Sequence, residues 1–442
     1  MTIRFDVAMR GYLDVVRAAL GAELAGLGQV VVVRDLRGRL RMVVENRPAP
    51  PVTLANLQQR LTDTAGPFAG GDPLFGQDLI APDAIFRSAD LYRVKGVSVL
   101  ERVAMGADWT RPPLPNLKPT PPRATLYGIK GGVGRSLALC VWARHLAQKG
   151  QRVLVVDLDL ESPGVSSSLL PPGAGTTFGI VDWLVEDAVG RADDELVRLM
   201  VTSSPLAEGT SGSILVAPCS GGKQDDDSYL AKLSRAYLDL PQTGGGLVSF
   251  AERLARMLDR LEAEHQPDVV LLDSRAGLHD VAAIAITRLS AMTFLFAVGT
   301  RQTWDGYRML LQQWQRQPAI GIEVRERLRV VAAQVPETGR DAYLRQFEQD
   351  AYDLFADTLY EEAGASQADA FNFDIGASEA PHYRLPIYWS RALQDWNPLT
   401  RSVTEDQIQA AFGGFLREAT ELLLDLGGSS IANDASGGEV IP

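Results

Sequence analysis

The sequence predicts an α/β protein, a mostly parallel, doubly wound sheet preceded by a small α+β domain. Three observations carry this. Thr125-Leu126-Tyr127-Gly128-Ile129 reads as a strand, and a glycine-rich turn separates it from a buried helix ending near Gly150. Two further runs, 152–159 and 267–273, are continuous apolar strands ending in acids, the pattern of strands covered on both faces. Strand and helix patterns then alternate, as they do when helices cross over between parallel strands.

Residues 1–110 read as a separate unit, a small α+β adaptor domain. Leu13, Val16, Ala19 and Leu20 recur at helical spacing. The run from Gln29 to Glu45 reads as a hairpin turning at Arg37-Gly38, a short helix is expected near 53–64, and Gly70-Gly71-Asp72-Pro73 reads as a loop. No catalytic constellation occurs in this unit. Residues 111–123 are proline-rich and read as an extended, semi-rigid linker. Within 124–426, strands are expected near 124–129, 152–157, 213–217, 268–273, 292–298 and 327–333. Helices are expected near 134–149, 178–189, 247–264, 301–315, 340–357 and 404–425, the last opening on the capping-box run Thr404-Glu405-Asp406-Gln407. Residues 427–442 are rich in Gly and Ser and are expected to form a mobile tail.

Composition narrows the classes. A chain of 442 residues exceeds one typical domain, and 46% hydrophobic with 22% charged residues can build a full core. A net charge of −12 argues against a broad electrostatic grip on nucleic acid or acidic lipid. The two cysteines, Cys140 and Cys219, lie in apolar runs and read as small core residues, with no disulfide framework. The histidines His145, His265, His279 and His382 are scattered, and none has zinc-ligand spacing to the cysteines. Asp6 and Asp14 interrupt any apolar leader, and no run approaches the roughly 18 apolar residues of a membrane span, so a cytoplasmic protein is expected.

The chemistry gathers on Lys130-Gly131-Gly132-Val133-Gly134-Arg135-Ser136. Glycines let backbone N–H groups converge on phosphate oxygens, and the N-terminus of the following helix adds partial positive charge. A hydroxyl at Ser136 can ligate Mg²⁺. The competing reading is a glycine-rich turn with no ligand. Asp157 and Asp159 close the second strand, and Asp273 closes the third within Asp273-Ser274-Arg275-Ala276-Gly277. Acids at the C-terminal ends of parallel strands lie where open α/β sheets bind ligands.

In this order and spacing the three segments resemble the ParA/MinD-like branch of P-loop NTPases, whose deviant Walker A loop is KGGxGK[ST]. The resemblance spans roughly residues 121–427, and the loop sequence is similar to a KGGVGR-motif variant subgroup. It implies an Mg²⁺-dependent ATPase that dimerises around nucleotide. Residues 131–137, namely Gly131, Gly132, Val133, Gly134, Arg135, Ser136 and Leu137, would then hold the phosphates. Ser136, Asp157 and Asp273 would hold the Mg²⁺ shell, Asp159 would position the attacking water, and Lys130 would reach the partner subunit's phosphates. Only six of the 43 basic residues are lysines, so a lysine at the loop's front stands out. Two departures matter: Arg135 stands where the family has lysine, and Arg275 where it commonly has proline. Arg135 can clamp phosphate oxygens but is bulkier than lysine, so slow turnover is expected. Arg275 reads as an exposed arginine, with contact to phosphate or a partner acid as the other reading.

In that family late loops often read the base. Here these are Gln334-Val335-Pro336-Glu337 and Leu385-Pro386-Ile387-Tyr388, with Gln334 the candidate for the adenine edge. A nucleotide switch that recruits a partner is the leading functional expectation, and the attached adaptor domain suggests a multi-protein system such as antiphage defence or a mobile element. The other reading is a non-hydrolysing, nucleotide-bound scaffold, against which stand the retained Ser136, Asp157, Asp159 and Asp273. A tyrosine kinase of this fold would carry a tyrosine-rich tail, and 427–442 contains no tyrosine. From 401 to 442 there are two arginines and seven acids, which disfavours a basic amphipathic membrane anchor.

Overall fold

A computed structural model describes residues 3–48, 54–88, 90–111, 121–222, 229–241, 247–362, 370–394, 396–400 and 403–434, with backbone alone for 427–434. The chain divides into two compact units, Met1–Pro112 and Pro113–Pro442.

The first unit runs α1 (Phe5–Ala19), β1 (Val30–Arg34), β2 (Leu40–Val44), α2 (Ala55–Ala65), β3 (Leu74–Phe75), α3 (Asp83–Phe86), β4 (Tyr92–Val94) and β5 (Val97–Glu101). Its sheet has the order β3-β2-β1-β5-β4. β1 and β2 form the expected hairpin, Val30 opposite Val44 and Arg34 opposite Leu40. The turn is fixed by Asp35, which accepts from the N–H groups of Arg37 and Arg39 at 2.9 Å each, while Gly38 supplies φ +78°. Alternation sorts the strands' two faces. Val30, Val32, Met42 and Val44 pack under Tyr12, Leu13 and Val16 of α1 and Leu57 and Leu61 of α2. Val31, Val43 and Leu100 meet Phe86 on the other face.

The second unit opens with β6 (Arg123–Gly128), α4 (Arg135–Gln148), β7 (Arg152–Asp157), α5 (Val165–Leu169), α6 (Ile180–Ala188), α7 (Asp194–Leu199), β8 (Thr202–Ser203), β9 (Ser213–Ala217) and α8 (Tyr229–Ala236). A short hairpin, β10 (Leu240–Pro241) with β11 (Leu247–Val248), precedes α9 (Phe250–His265), β12 (Val269–Asp273) and α10 (Asp280–Ile284). There follow β13 (Met292–Ala297), α11 (Arg301–Gln315), α12 (Pro318–Arg325), β14 (Leu328–Val335), α13 (Arg340–Ala356), β15 (Arg384–Tyr388) and α14 (Glu405–Asp434). Among the described residues the large sheet has eight strands in the order β15-β14-β13-β6-β12-β7-β9-β8. All neighbours pair in parallel except β8 with β9. The fold is the expected α/β, mostly parallel and covered on both faces.

One face carries α4, α5 and α14. Trp142 of α4 stacks edge-on against Phe294 and Phe415, centroids 5.2 and 5.7 Å away, and its indole donates to Thr420 at 3.0 Å. The other face is filled by α6, α7, α9 and α10, with Trp183, Leu254, Leu258 and Ile284 on Leu154, Val156, Val270 and Leu272.

Several expectations are corrected. The Leu385–Tyr388 loop is part of β15, the edge strand of the sheet, and α14 packs on it. The tail expected from 427 is helical as far as Asp434, and the rest of it lies outside the described residues. In the proline-rich segment, 112–120 lie outside the described residues, and Arg123 already belongs to β6.

Candidate functional site

β12 pairs with β7 so that Asp273 stands opposite Asp157. Side chains alternate along each strand, so these two acids share the face of Val153, Val155, Val269 and Leu271, which packs on α4. Both carboxylates therefore arrive beside the first turn of α4. Ser136 Oγ donates to Asp273 Oδ2 at 3.0 Å, and Ser166 donates to Asp157 Oδ2 from Oγ at 2.6 Å and from its N–H at 3.3 Å. Asp157 is fully buried and Asp273 is 2% exposed, with its Oδ1 lacking a hydrogen-bond partner. Burial, and then the charge of Asp157, push the Asp273 carboxyl up toward neutrality. Burial raises Asp157 too, against the bonds from Ser166.

Two buried like charges with an orphaned oxygen fit a divalent cation. No cluster of three or more His, Cys, Asp or Glu side chains gathers as a cage among the described residues. Two carboxylates and a hydroxyl are instead the sparse donor set suited to Mg²⁺, which keeps waters and takes phosphate oxygens.

The glycine loop joins β6 to α4. Gly132 and Gly134 have φ +75° and +85°, and a Cβ at Gly131, Gly132 or Gly134 would meet nothing within 4 Å. The loop is thus open on its outer side, and its backbone can approach a ligand closely. Its floor is tight: a Cβ on Gly128 would lie 3.1 Å from Arg135 Cδ and 3.2 Å from Val133 Cγ2. Val133 plugs the core below. The first turn of α4 has no side-chain cap and no acid, which leaves its N–H groups suited to an anion.

The remaining predicted residues take distinct positions. Arg135 is 9% exposed and turned inward, its guanidinium donating to the Ser274 carbonyl at 2.6 Å. Lys130 and Leu137 are half-buried. Gln334 stands at a bulge in β14 with φ +56°, and its amide donates to the Gly132 carbonyl at 2.8 Å. Its amide thus reaches the glycine loop itself.

The loops after β7 and β12 also meet, joining Asp159 and Arg275 through Glu161, His279 and Tyr237, to which the sequence reading gave no site role. Glu161 Oε2 accepts from Arg275 Nη1 at 2.7 Å, His279 Nε2 lies 3.1 Å from Glu161 Oε1, and the Tyr237 hydroxyl donates to the same oxygen. Arg275 Nη1 also lies 3.6 Å from Asp159 Oδ1. Asp159 is raised by burial, against the charges of Arg275 and Arg135. Arg275 stands two residues past Asp273 as Asp159 stands two past Asp157, and the pairing of β7 with β12 brings the two together.

The larger of two described cavities, about 760 Å³, opens beside Ser166 and is walled by Pro171, Gly175, Cys219 and Gly222. The other, about 230 Å³, lies between α4 and α14 near Trp396. Neither encloses the glycine loop, which is an exposed cradle.

A parallel sheet with a glycine-rich loop between a central strand and its following helix defines a P-loop nucleotide-binding fold. No family model matches the sequence, and no curated protein matches it. Among solved structures, the chain is similar in fold to ParA/MinD-type ATPases. One is pNOB8 ParA bound to nonspecific DNA, at 15% identity and TM-score 0.41, covering 71% of this chain and 99% of that one. Another is a putative plasmid partition protein, BB_S35, from Borrelia burgdorferi bound to AMPPNP, at 13% identity and TM-score 0.42, covering 70% and 99%. A third is the MinC:MinD cell division complex of Aquifex aeolicus, at 12% identity and TM-score 0.39, covering 73% and 98%. No helix among the described residues is long and apolar enough to cross a membrane.

Proposed function

We propose that this chain binds ATP with Mg²⁺ on residues 130–137 and hydrolyses it slowly, acting as a nucleotide-dependent dimerisation switch that recruits a protein partner. The observation that carries the reading is the meeting of Ser136 Oγ with Asp273 Oδ2 at 3.0 Å, beside Asp157 and under an open glycine loop. Backbone N–H groups of the loop and of the first turn of α4 bind and orient the phosphates. Ser136, Asp157 and Asp273 hold the metal, which supplies charge neutralisation at the phosphate oxygens when bound. Asp159 orients the attacking water, its Oδ1 being buried and without a hydrogen-bond partner. Lys130, half-buried at the front of the loop, serves the phosphates of a second subunit. Gln334 braces the loop through Gly132.

The Arg135 guanidinium is buried and donates to the Ser274 carbonyl, an engagement that supports slow turnover. The same bond favours a second reading, a non-hydrolysing scaffold in which nucleotide is a structural element.

Titration of labelled ATP with and without Mg²⁺ tests the binding reading. Ser136→Ala is expected to weaken Mg²⁺-dependent affinity by about tenfold, the worth of roughly one charge-assisted bond. Equal affinity in both proteins, or none in either, removes the assignment. Asp159→Ala separates switch from scaffold: it is expected to bind ATP while releasing almost no phosphate, and a wild type that releases none leaves only the scaffold.

A further inference from the structure

Arg275 occupies a position fixed by strand register. β7 and β12 pair in parallel up to Asp157 and Asp273, and the Leu158 N–H donates to the Asp273 carbonyl at 2.9 Å, carrying the pairing one residue further. The chains beyond these strands therefore leave the sheet side by side. Asp159 and Arg275, each two residues on, face each other across that seam. Arg275 is 32% exposed on its side chain and Asp159 15%.

The arginine is not free to wander. Glu161 takes its Nη1 at 2.7 Å, and Glu161 is itself held by His279 and Tyr237. Tyr237 stacks with Phe250 at the start of α9, and His279 caps α10, so the anchor stands on helices packed in the core. Burial works against the charge of Glu161, but the bonds from His279 and Tyr237 together with the Arg275 charge bring its carboxyl down to about 2, leaving an anion for Arg275 to hold.

Resting on the ATPase reading above, we propose that Arg275 is a positioning residue: anchored by Glu161, its guanidinium holds the Asp159 carboxylate in place across the seam between the loops after β7 and β12. Asp159 Oδ1 has no hydrogen-bond partner, and the Arg275 nitrogen 3.6 Å away is the cation that fixes where this oxygen stands. A water-orienting carboxylate needs that restraint, since a misplacement of about 1 Å can cost on the order of 100-fold in rate. Phosphate binding does not need it, because the glycine loop and the first turn of α4 do that work from the other side of the site.

A plain surface ion pair would do none of this, and it contributes only about 0–1 kcal/mol to stability. The two roles separate in kinetics. Steady-state phosphate release and Mg²⁺·ATP affinity with binding stoichiometry are measured for the full chain and for Arg275→Gln and Arg275→Lys. Arg275→Gln is expected to bind ATP at wild-type stoichiometry and with roughly unchanged affinity, while kcat falls by about 100-fold. Arg275→Lys is expected to regain most of that loss, because its ammonium can still bridge the two acids. The proposal is overturned if Arg275→Gln turns over as fast as the wild type or faster. It is overturned equally if kcat falls only in step with binding stoichiometry, or if Arg275→Lys is as slow as Arg275→Gln. A wild type that binds no ATP, or binds without turnover, removes the ATPase reading and this role together. A wild type that turns over beside an equally fast Arg275→Gln removes the positioning role alone.

Discussion

Replacing Asp273 with Asn should make the metal-free protein more stable and the nucleotide-bound protein less so. Adjacent strands lie about 4.8 Å apart, and two unit charges about 5 Å apart repel by roughly 3 kcal/mol at an effective dielectric near 20. Asp157 and Asp273 stand directly opposite each other at that spacing, both buried. Burial raises both carboxyls, the charge of Asp157 raises Asp273 further, and the charge of Asp159 adds to the rise of Asp157. A group whose pKa is raised on folding stabilises fully below its unfolded value and loses that contribution as pH rises through its folded value. The wild type without metal should therefore lose stability between about pH 4 and neutrality, and Asp273→Asn should flatten that fall. The amide oxygen can still accept from Ser136. At pH 8 in chelator the variant should gain on the order of 1–3 kcal/mol, a few degrees in melting temperature for a unit of this size. Saturating Mg²⁺·ATP at about 100 times its Kd should add about 2.7 kcal/mol to the wild type and far less to the variant. Thermal scans at pH 5 and pH 8, in chelator and in Mg²⁺·ATP, decide it. A variant less stable than wild type in chelator at pH 8, or one stabilised equally by Mg²⁺·ATP, refutes the reasoning.

Two further outcomes follow from the loop. Lys130→Ala should keep much of its nucleotide affinity while losing ATP-dependent dimerisation and turnover. Light scattering with a non-hydrolysable analogue checks this, and a wild type that stays monomeric with ATP bound, alone and with its partner, would falsify the two-subunit site. Gln334→Ala should weaken ATP and GTP by the same factor, within about 1 kcal/mol, because the amide holds the Gly132 carbonyl; competition binding that shows loss for ATP alone restores Gln334 as the reader of adenine.

The loop and the strand-end acids were legible because their signals are local and periodic. Glycines at fixed offsets imply positive φ, and a continuous apolar run ending in acid implies a buried strand delivering charge at its tip. β15 was not legible, since Pro386 reads as a loop signal. An edge strand tolerates proline where its N–H would have no ladder partner, and β15 is the edge. The helix beyond 427 was hidden by Gly427 and Gly428, each worth about 1 kcal/mol against helix, although neither is a hard stop. For Gln334 the residue type was legible, but the bulge and φ +56° that bring its amide to Gly132 leave no sequence trace. The contacts of Arg275, read as exposed or as touching phosphate or a partner acid, depend on which strand lies beside β12, and only the tertiary pairing says that.

The in-register meeting of β7 with β12 makes the site a matter of parity. Side chains alternate faces, so deleting one residue early in β12 would turn Leu272 onto the α4 face, put Ser274 in the place of Asp273, and move Asp273 to the opposite face with Leu154 and Val156. Deleting two would keep the faces and shorten only the reach. Length changes in connections on the far side of the sheet need obey no such rule. Frame-like constraint thus falls on two short strands, and in them a change of one residue should be far more damaging than a change of two.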